Sequence, residues 1–330
     1  MSNQTTEAVA EDYLRRLCRR HYVYTHIEPT NACNADCAIC PRDAMTRKLL
    51  MMTWPTFVQI MDTVLPTPIP MLAIVGFGEP TLHRQILEMI SYARSARSDL
   101  AIKITTNGSR MSADNLDKYF EAGLDLVEIS VFGYSPETYE AQMEGLKFRH
   151  VERLISALNE RGCKYSLSTV RSDEVPAAVI QSFWTSVGAS RLSIKGLHRR
   201  GGYLELDEPV TREQALGNYR QRSQVLEGGL PEDACHKLYM FLHVNAAGQI
   251  LPCVQEINME NVLGRISRSS SLQSVMASTR SHRPTFNICA GCELKQQDLM
   301  DYYARFFATQ FPERLPIWLS RLKEAEARQE

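Results

Sequence analysis

From residue 22 onward, compact apolar runs alternate with stretches of helical spacing. Residues 22–28 (YVYTHIE) read as a first strand. MLAIVGF (71–77), AIKITTNG (101–108), DLVEISVFG (125–133), KYSLSTV (164–170) and RLSIKGL (191–197) read as five more. The intervening segments have the spacing of amphipathic helices. They are ILEMISYARSA after Pro80, SADNLDKYFEAG with Ser112 as N-cap and Gly123 as stop, HVERLISALNERG ending at Gly162, and PAAVIQSFWTSVG. Runs such as MLAIVGF lack polar alternation, as expected of parallel strands covered on both faces. Six strands in strict alternation with helices predict an α/β fold with a parallel sheet, open or closed into a barrel. In such folds chemistry gathers at the carboxyl ends of the strands. The loops there are CNADCAIC, GFGEP, TTNG and SVFGYS, so the distinctive residues converge on one edge.

The pattern divides the chain. Residues 1–20 carry an N-terminal helix, 21–200 the βα units, and 201–234 a polar connector. Residues 235–295 hold short strands, with MFLHVNAAGQILPC predicting a hairpin around AAGQ. Within 296–330, Pro312 and Pro316 break the chain into two helices. Tyr302, Tyr303, Phe306, Phe307 and Phe311 recur at helical spacing on the first, a stripe expected to pack inward.

Charge and targeting signals narrow the class. Lys plus Arg is 37 and Asp plus Glu is 38, a net charge of −1, which gives no electrostatic case for nucleic acid or an anionic membrane. No apolar run reaches the roughly 18 residues of a membrane span, and the first residues do not form a signal peptide. A cytoplasmic protein is expected, and there nine cysteines point to metal or redox chemistry rather than disulfides. Seven fall into two groups: Cys33, Cys37 and Cys40; then Cys235, Cys253, Cys289 and Cys292. Cys18 and Cys163 stand alone and read as small buried apolar residues, although a thiol such as Cys163 can also donate a hydrogen atom to a radical.

Three thiolates at C-x3-C-x2-C are one short of a closed metal site. They suit a structural zinc with His26 or Asp36 as fourth ligand. A lone C-x3-C-x2-C is not the paired-knuckle pattern usual for such zinc, and better suits three irons of a 4Fe–4S cluster whose fourth iron is left for a small molecule. This loop after the first strand resembles that of the radical S-adenosylmethionine (SAM) superfamily. Gly78-Glu79-Pro80 resembles the family's GGEP motif, which holds the methionine amino group. The resemblance places Thr105, Thr106, Asn107 and Ser130 on the ribose side of the cofactor and Arg171 at the methionine carboxylate. Two positions depart from the family pattern. Ile39 stands where an aromatic residue is usual, and Phe77 replaces the first glycine of GGEP. Over residues 20–200 the resemblance implies a partial (βα)6 barrel. It also implies a 4Fe–4S cluster, S-adenosyl-L-methionine, a flavodoxin or ferredoxin electron donor, and a 5′-deoxyadenosyl radical that abstracts hydrogen from a substrate.

The second cysteine group supplies a complete set of four ligands, for a cluster or for zinc. Gly248 followed by QILPC and the later C-x2-C resembles the start of a SPASM domain. Asp298 stands where its next cysteine is expected, so the shortened twitch form with one auxiliary 4Fe–4S cluster is implied, as in 2-deoxy-scyllo-inosamine dehydrogenase-type enzymes. Lys195, His198, Arg199 and Arg200 follow the sixth strand. They read either as a solvated basic turn or as substrate contacts and proton acceptors. Only some 20 residues precede the first strand, which leaves no room for a peptide-recognition domain. The expectation is therefore a polar small molecule of sugar, aminocyclitol or nucleoside type. Net oxidation is favoured, with decarboxylation or epimerisation next. A peptide maturase is the alternative and a zinc-binding module the remote one.

Overall fold

The computed structural model describes residues 3–171, 175–196, 236–267, 271–281 and 299–328. Cys235, Cys289, Cys292, His198, Arg199, Arg200, Asp298 and the expected connector lie outside the described residues. Along the chain come α1 (Asn3–Arg20), β1 (Tyr24–Ile27), β2 (Asp36–Cys37), α2 (Trp54–Val64), β3 (Met71–Ile74), α3 (Ile86–Ala96), β4 (Ala101–Thr106) and α4 (Leu116–Glu121). Then follow β5 (Leu126–Ser130), α5 (Pro136–Gln142), β6 (Met143–Glu144), α6 (Phe148–Glu160), β7 (Tyr165–Arg171), α7 (Ala177–Ser186) and β8 (Leu192–Gly196). Beyond these lie α8 (His236–Met240), β9 (Phe241–Val244), β10 (Gln249–Leu251), β11 (Gly264–Arg265), α9 (Leu272–Ser281), α10 (Leu299–Gln310) and α11 (Leu315–Ala327). Among the described residues, no helix is long and apolar enough to cross a membrane.

Strands β1, β3, β4, β5, β7 and β8 lie side by side in that order, every neighbouring pair parallel. This is the partial barrel that the alternation and the resemblance imply. The hairpin around Gly248 (φ 75°) also forms, but it joins the barrel sheet rather than starting a sheet of its own. Strand β9 runs parallel to β1, with Tyr24 opposite Phe241 and His26 opposite His243, and β10 returns antiparallel. The Val23 amide donates to the Met240 carbonyl and the Glu28 amide to the Val244 carbonyl, so the ladder is closed at both ends. An otherwise unpaired edge of β1 is thereby covered.

The two faces of the sheet bury different partners. Outward, Ile27, Leu72, Ile74, Ile102, Ile104, Val127, Ile129 and Leu167 share one core with Phe57 and Ile60 of α2, Met89 and Ile90 of α3, and Leu154 and Ile155 of α6. Inward, Tyr24, Met71, Ala73, Ala101, Leu126 and Phe241 share a second core with Tyr13, Leu14 and Leu17 of α1, Phe307 of α10, Phe311 just past its end, and Trp318 of α11. The terminal helices thus form a floor inside the curved sheet. The aromatic stripe of α10 packs into it as its spacing predicted, with Phe307 and Phe311 fully buried. Cys18 also lies in this floor. Polar anchors hold it in place: Trp318 Nε1 donates to the Asp99 carbonyl at 2.9 Å, and Arg314 reaches Asp125 and the Leu100 carbonyl.

Two helix starts differ from expectation. Ser112 does not cap α4, because the Asn115 side chain bonds back to the Ser112 amide and the Arg110 carbonyl and closes a polar turn first. Pro80 opens a single 3-10 turn, Pro80–Leu82, and α3 begins only at Ile86. Gly123 stops α4 as predicted: its φ of 106° lets the Leu124 amide reach the Tyr119 carbonyl.

Candidate active site

The cysteine loop leaves the carboxyl end of β1 and is pinned from beneath. The Asn31 side chain, fully buried, donates to the Lys48 carbonyl at 2.9 Å and accepts from the Leu50 amide at 2.6 Å. Thr30 Oγ1 donates to the Leu50 carbonyl. Cys37 sits in β2, paired with Met143 of β6, and the Cys40 amide donates to the Cys37 carbonyl. All three thiols are half-buried. Burial, and then the neighbouring Cys40 and Cys33, push the Cys37 thiol up to about 12. A metal binding here would displace protons. Among the described residues, no three His, Cys, Asp or Glu side chains converge as a ready single-ion site. A cubane asks less convergence of its ligands, since each thiolate meets its own iron. Three half-buried thiols on one loop are a donor set that fits a cluster. Of the two proposed fourth ligands of a zinc site, His26 is paired with His243 on the inner wall, while Asp36 is exposed and lines the same cleft as Cys33. This cleft of about 500 Å³ is lined also by Asn34, Arg42, Asp43 and Glu144.

The GFGEP turn packs against this loop at backbone distance. A Cβ at Gly78 would come within 2.3 Å of the Thr30 carbonyl oxygen and 2.5 Å of that of Ala32, and one at Gly76 would strike the Glu28 side chain. Glycine is required at both positions, which bracket Phe77. The Phe77 amide donates to Glu28 Oε2, and Arg47 clamps both oxygens of the same carboxylate at 2.5 and 2.7 Å. Glu79 is 2% exposed, and its carboxylate is the hub of the site. It accepts from the Thr81 amide and hydroxyl, from Thr106 Oγ1 at 2.6 Å and from the Asn107 amide at 2.7 Å. The Asn107 side-chain amide in turn lies 3.1 Å from Asn34 Oδ1 and 3.9 Å from Cys33 Sγ. Gly78, Glu79, Pro80, Thr106 and Asn107 are therefore brought together with the cysteine loop. Glu79 braces the loops through its side chain, so what this turn presents outward is backbone.

Ser130, Ser168 and Lys195 stand near strand ends on the inner face of the sheet. Ser130 closes β5 opposite Ser168 of β7. Lys195 of β8 donates to Ser168 Oγ at 3.0 Å. Arg171 ends β7 opposite Gly196. Residues that sequence reading missed, or in the case of His26 read as a zinc ligand, stand one step deeper. Lys103 of β4 pairs with Glu128 of β5 at 3.1 Å. Burial raises the Glu128 carboxyl, but the Lys103 and Lys195 charges outweigh it and draw it down to about 2. His26 Nδ1 and His243 Nδ1 lie 2.9 Å apart. Each of these polar residues interrupts an apolar strand at an inward position, the signal that reveals it. Cys253 follows β10 and is half-buried, and it stands near enough to Tyr24 to act on its hydroxyl. Cys163 precedes β7 at its amino end, its thiol raised by burial, so it lies at the opposite edge from the cysteine loop. That placement does not suit hydrogen-atom donation to a substrate at the rim.

Comparison with known proteins bears on this arrangement. Residues 27–174 match the family model described as the Radical SAM superfamily. A tungsten-containing aldehyde ferredoxin oxidoreductase cofactor-modifying protein of Pyrococcus furiosus is 29% identical over 109 residues, 33% of this chain. A GTP 3′,8-cyclase of Pectobacterium atrosepticum is 25% identical over 253 residues, 72% of this chain. The chain spans 30% of the length of the first of these relatives and 74% of the second. Among solved structures, BtrN in complex with AdoMet and 2-DOIA superposes with a TM-score of 0.54 at 17% identity, covering 85% of this chain and 98% of BtrN. Streptococcus suis SuiB bound to the precursor peptide SuiA gives 0.62 at 15% identity, covering 89% of this chain and 74% of SuiB. At such identities the likeness is one of fold.

Proposed function

Because residues 27–174 form a radical SAM domain, we propose that Cys33, Cys37 and Cys40 hold a 4Fe–4S cluster and that S-adenosyl-L-methionine binds over it. When bound, the cluster supplies one electron to the sulfonium, which releases methionine and a 5′-deoxyadenosyl radical. The chain's own residues position the reactants. The Gly78-Glu79-Pro80 backbone receives the methionine end, held in place by the Glu79 hub. Thr106, Asn107 and Ser130 take the ribose side, and Arg171 the carboxylate. Lys195, with His198 and Arg199 beyond it, contacts substrate. Cys235, Cys253, Cys289 and Cys292 hold an auxiliary 4Fe–4S cluster as electron acceptor. A flavodoxin or ferredoxin is the donor.

The substrate in this reading is a polar small molecule, and the net reaction is oxidation. One observation carries the substrate class: the inner wall beside the cysteine loop is built of Lys103, Glu128, Ser168, Lys195 and a histidine pair rather than apolar side chains. The likeness to a named GTP cyclase points toward the same class. The fold shared with peptide-bound SuiB supports a peptide substrate as the second reading. Anaerobic incubation with deuterated aminocyclitols, sugars and nucleosides, beside candidate precursor peptides, separates the two. Deuterium is expected in 5′-deoxyadenosine from a small molecule. Transfer from a peptide alone would refute the small-molecule reading. Iron should total about eight per chain for two cubanes, with about four left after removal of the first three cysteines.

A further inference from the structure

His26 and His243 face each other across the parallel ladder of β1 and β9. Two ring nitrogens 2.9 Å apart share one proton, one ring donating and the other accepting. Burial lowers the pKa of both rings, and each would meet further positive charge: His243 and Lys103 around His26, and Lys237 around both. Both imidazoles are therefore neutral, and their tautomers are coupled. The ring that carries Nδ1–H has a bare Nε2; the ring that accepts must carry its proton on Nε2. Whichever way the shared proton sits, the pair offers one donor and one acceptor at its two Nε2 atoms.

His243 is 3% exposed, and its Nε2 is buried with no partner. An unpaired buried nitrogen costs stability that an apolar ring of similar size would not. The pair lies on the inner face of the sheet, where period-two alternation sets it with Tyr24 and Phe241 below and Glu28 above. The Tyr24 ring centroid is 4.6 Å from that of His26. Lys103 and Glu128, on the same concave face, are 15% and 16% exposed, so solvent reaches that part of the wall.

We propose that the His26–His243 pair is the recognition element of a substrate subsite for a polyhydroxylated molecule. One ligand hydroxyl donates to the bare Nε2, and a second oxygen accepts from the Nε2–H. The subsite rests on the small-molecule reading for its ligand, while its location stands on the geometry of the wall. The experiment has two arms on the reconstituted, S-adenosylmethionine-loaded chain. The first compares thermal unfolding of wild type and the double variant His26→Phe/His243→Phe, in which neither ring nitrogen is left behind without its partner. A subsite nitrogen kept unpaired for a ligand predicts an unchanged or higher Tm for the variant. A clear fall in Tm would make the pair a structural strut and overturn the proposal. The second titrates myo-inositol, scyllo-inosamine and guanosine calorimetrically. At least a tenfold loss of affinity is expected in His243→Phe, with His243→Gln, whose amide reaches the Nε2 position, within threefold of wild type. Equal binding by His243→Phe would overturn the subsite and leave the small-molecule reading standing. Binding of none of the three by wild type would overturn the ligand class as well.

Discussion

The floor of the barrel and its rim are made by the same strands, two residues apart. On β1 the inner face runs Tyr24, His26, Glu28; on β4 it runs Ala101, Lys103, Thr105; on β5 it runs Leu126, Glu128, Ser130. The lowest residue of each series lies in the apolar core with α1, α10 and α11, while His26, Glu28, Lys103, Thr105 and Glu128 above pair with one another, with His243 or with a loop. Period-two geometry puts each series on one face, so the change in chemistry along it is a change of task. Burial below supplies stability. Above, each polar group needs a partner, and the partners come from different strands and loops. Damage to the rim should therefore spread to function, and damage to the floor should stay in stability.

Glu79→Leu should have the largest effect. It removes the acceptor of four hydrogen bonds and leaves the Thr106 hydroxyl proton and the Asn107 amide buried without an acceptor. Cofactor cleavage should fall at least about a hundredfold, since misplacement of reacting groups by an ångström costs that much. Measurement of 5′-deoxyadenosine per bound iron tests it. Trp318→Ala strikes the floor, where the ring is fully buried and bonded to Asp99. A loss of about 3–5 kcal/mol is expected in urea unfolding. Iron content and cleavage per folded molecule should not change, and a proportional loss of cleavage would erase the distinction between floor and rim.

Much of this division is legible in the strands themselves. Parallel strands covered on both faces yield compact apolar runs, so β3, β4 and β5 stand out in MLAIVGF, AIKITTNG and DLVEISVFG. The convergence of Cys33, Glu79, Thr106 and Asn107 follows from strand-end position alone. Lys103 and Glu128 sit in plain view inside two of those runs, but strand reading absorbs them, because pairing across β4 and β5 depends on register. His26 and His243 are 217 residues apart, and nothing in local periodicity says that β9 completes the edge of β1. Phe77 reads as a motif departure, and only the structure shows it held between Gly76, against the Glu28 side chain, and Gly78, against the Thr30 and Ala32 carbonyls.

A pH series sharpens the comparison at the rim. Glu128 is held at about 2 in the fold against 4.5 as the ordinary value. Its ionised form therefore stabilises the protein above about pH 4.5, and that contribution is lost as pH falls toward 2. At most roughly 3 kcal/mol is at stake. Glu128→Gln should flatten this part of the stability curve, and an unchanged acid limb would remove the ion pair from the account. Lys147→Ala, which breaks an exposed pair with Glu140, should leave unfolding and cleavage unchanged.

Reduction of the anaerobically reconstituted chain in the presence of S-adenosylmethionine tests the central claim most directly. With dithionite or flavodoxin as reductant, the wild-type protein should form 5′-deoxyadenosine and methionine, and Cys33→Ala should form neither. A wild-type chain that binds zinc in place of iron and leaves S-adenosylmethionine intact would contradict it.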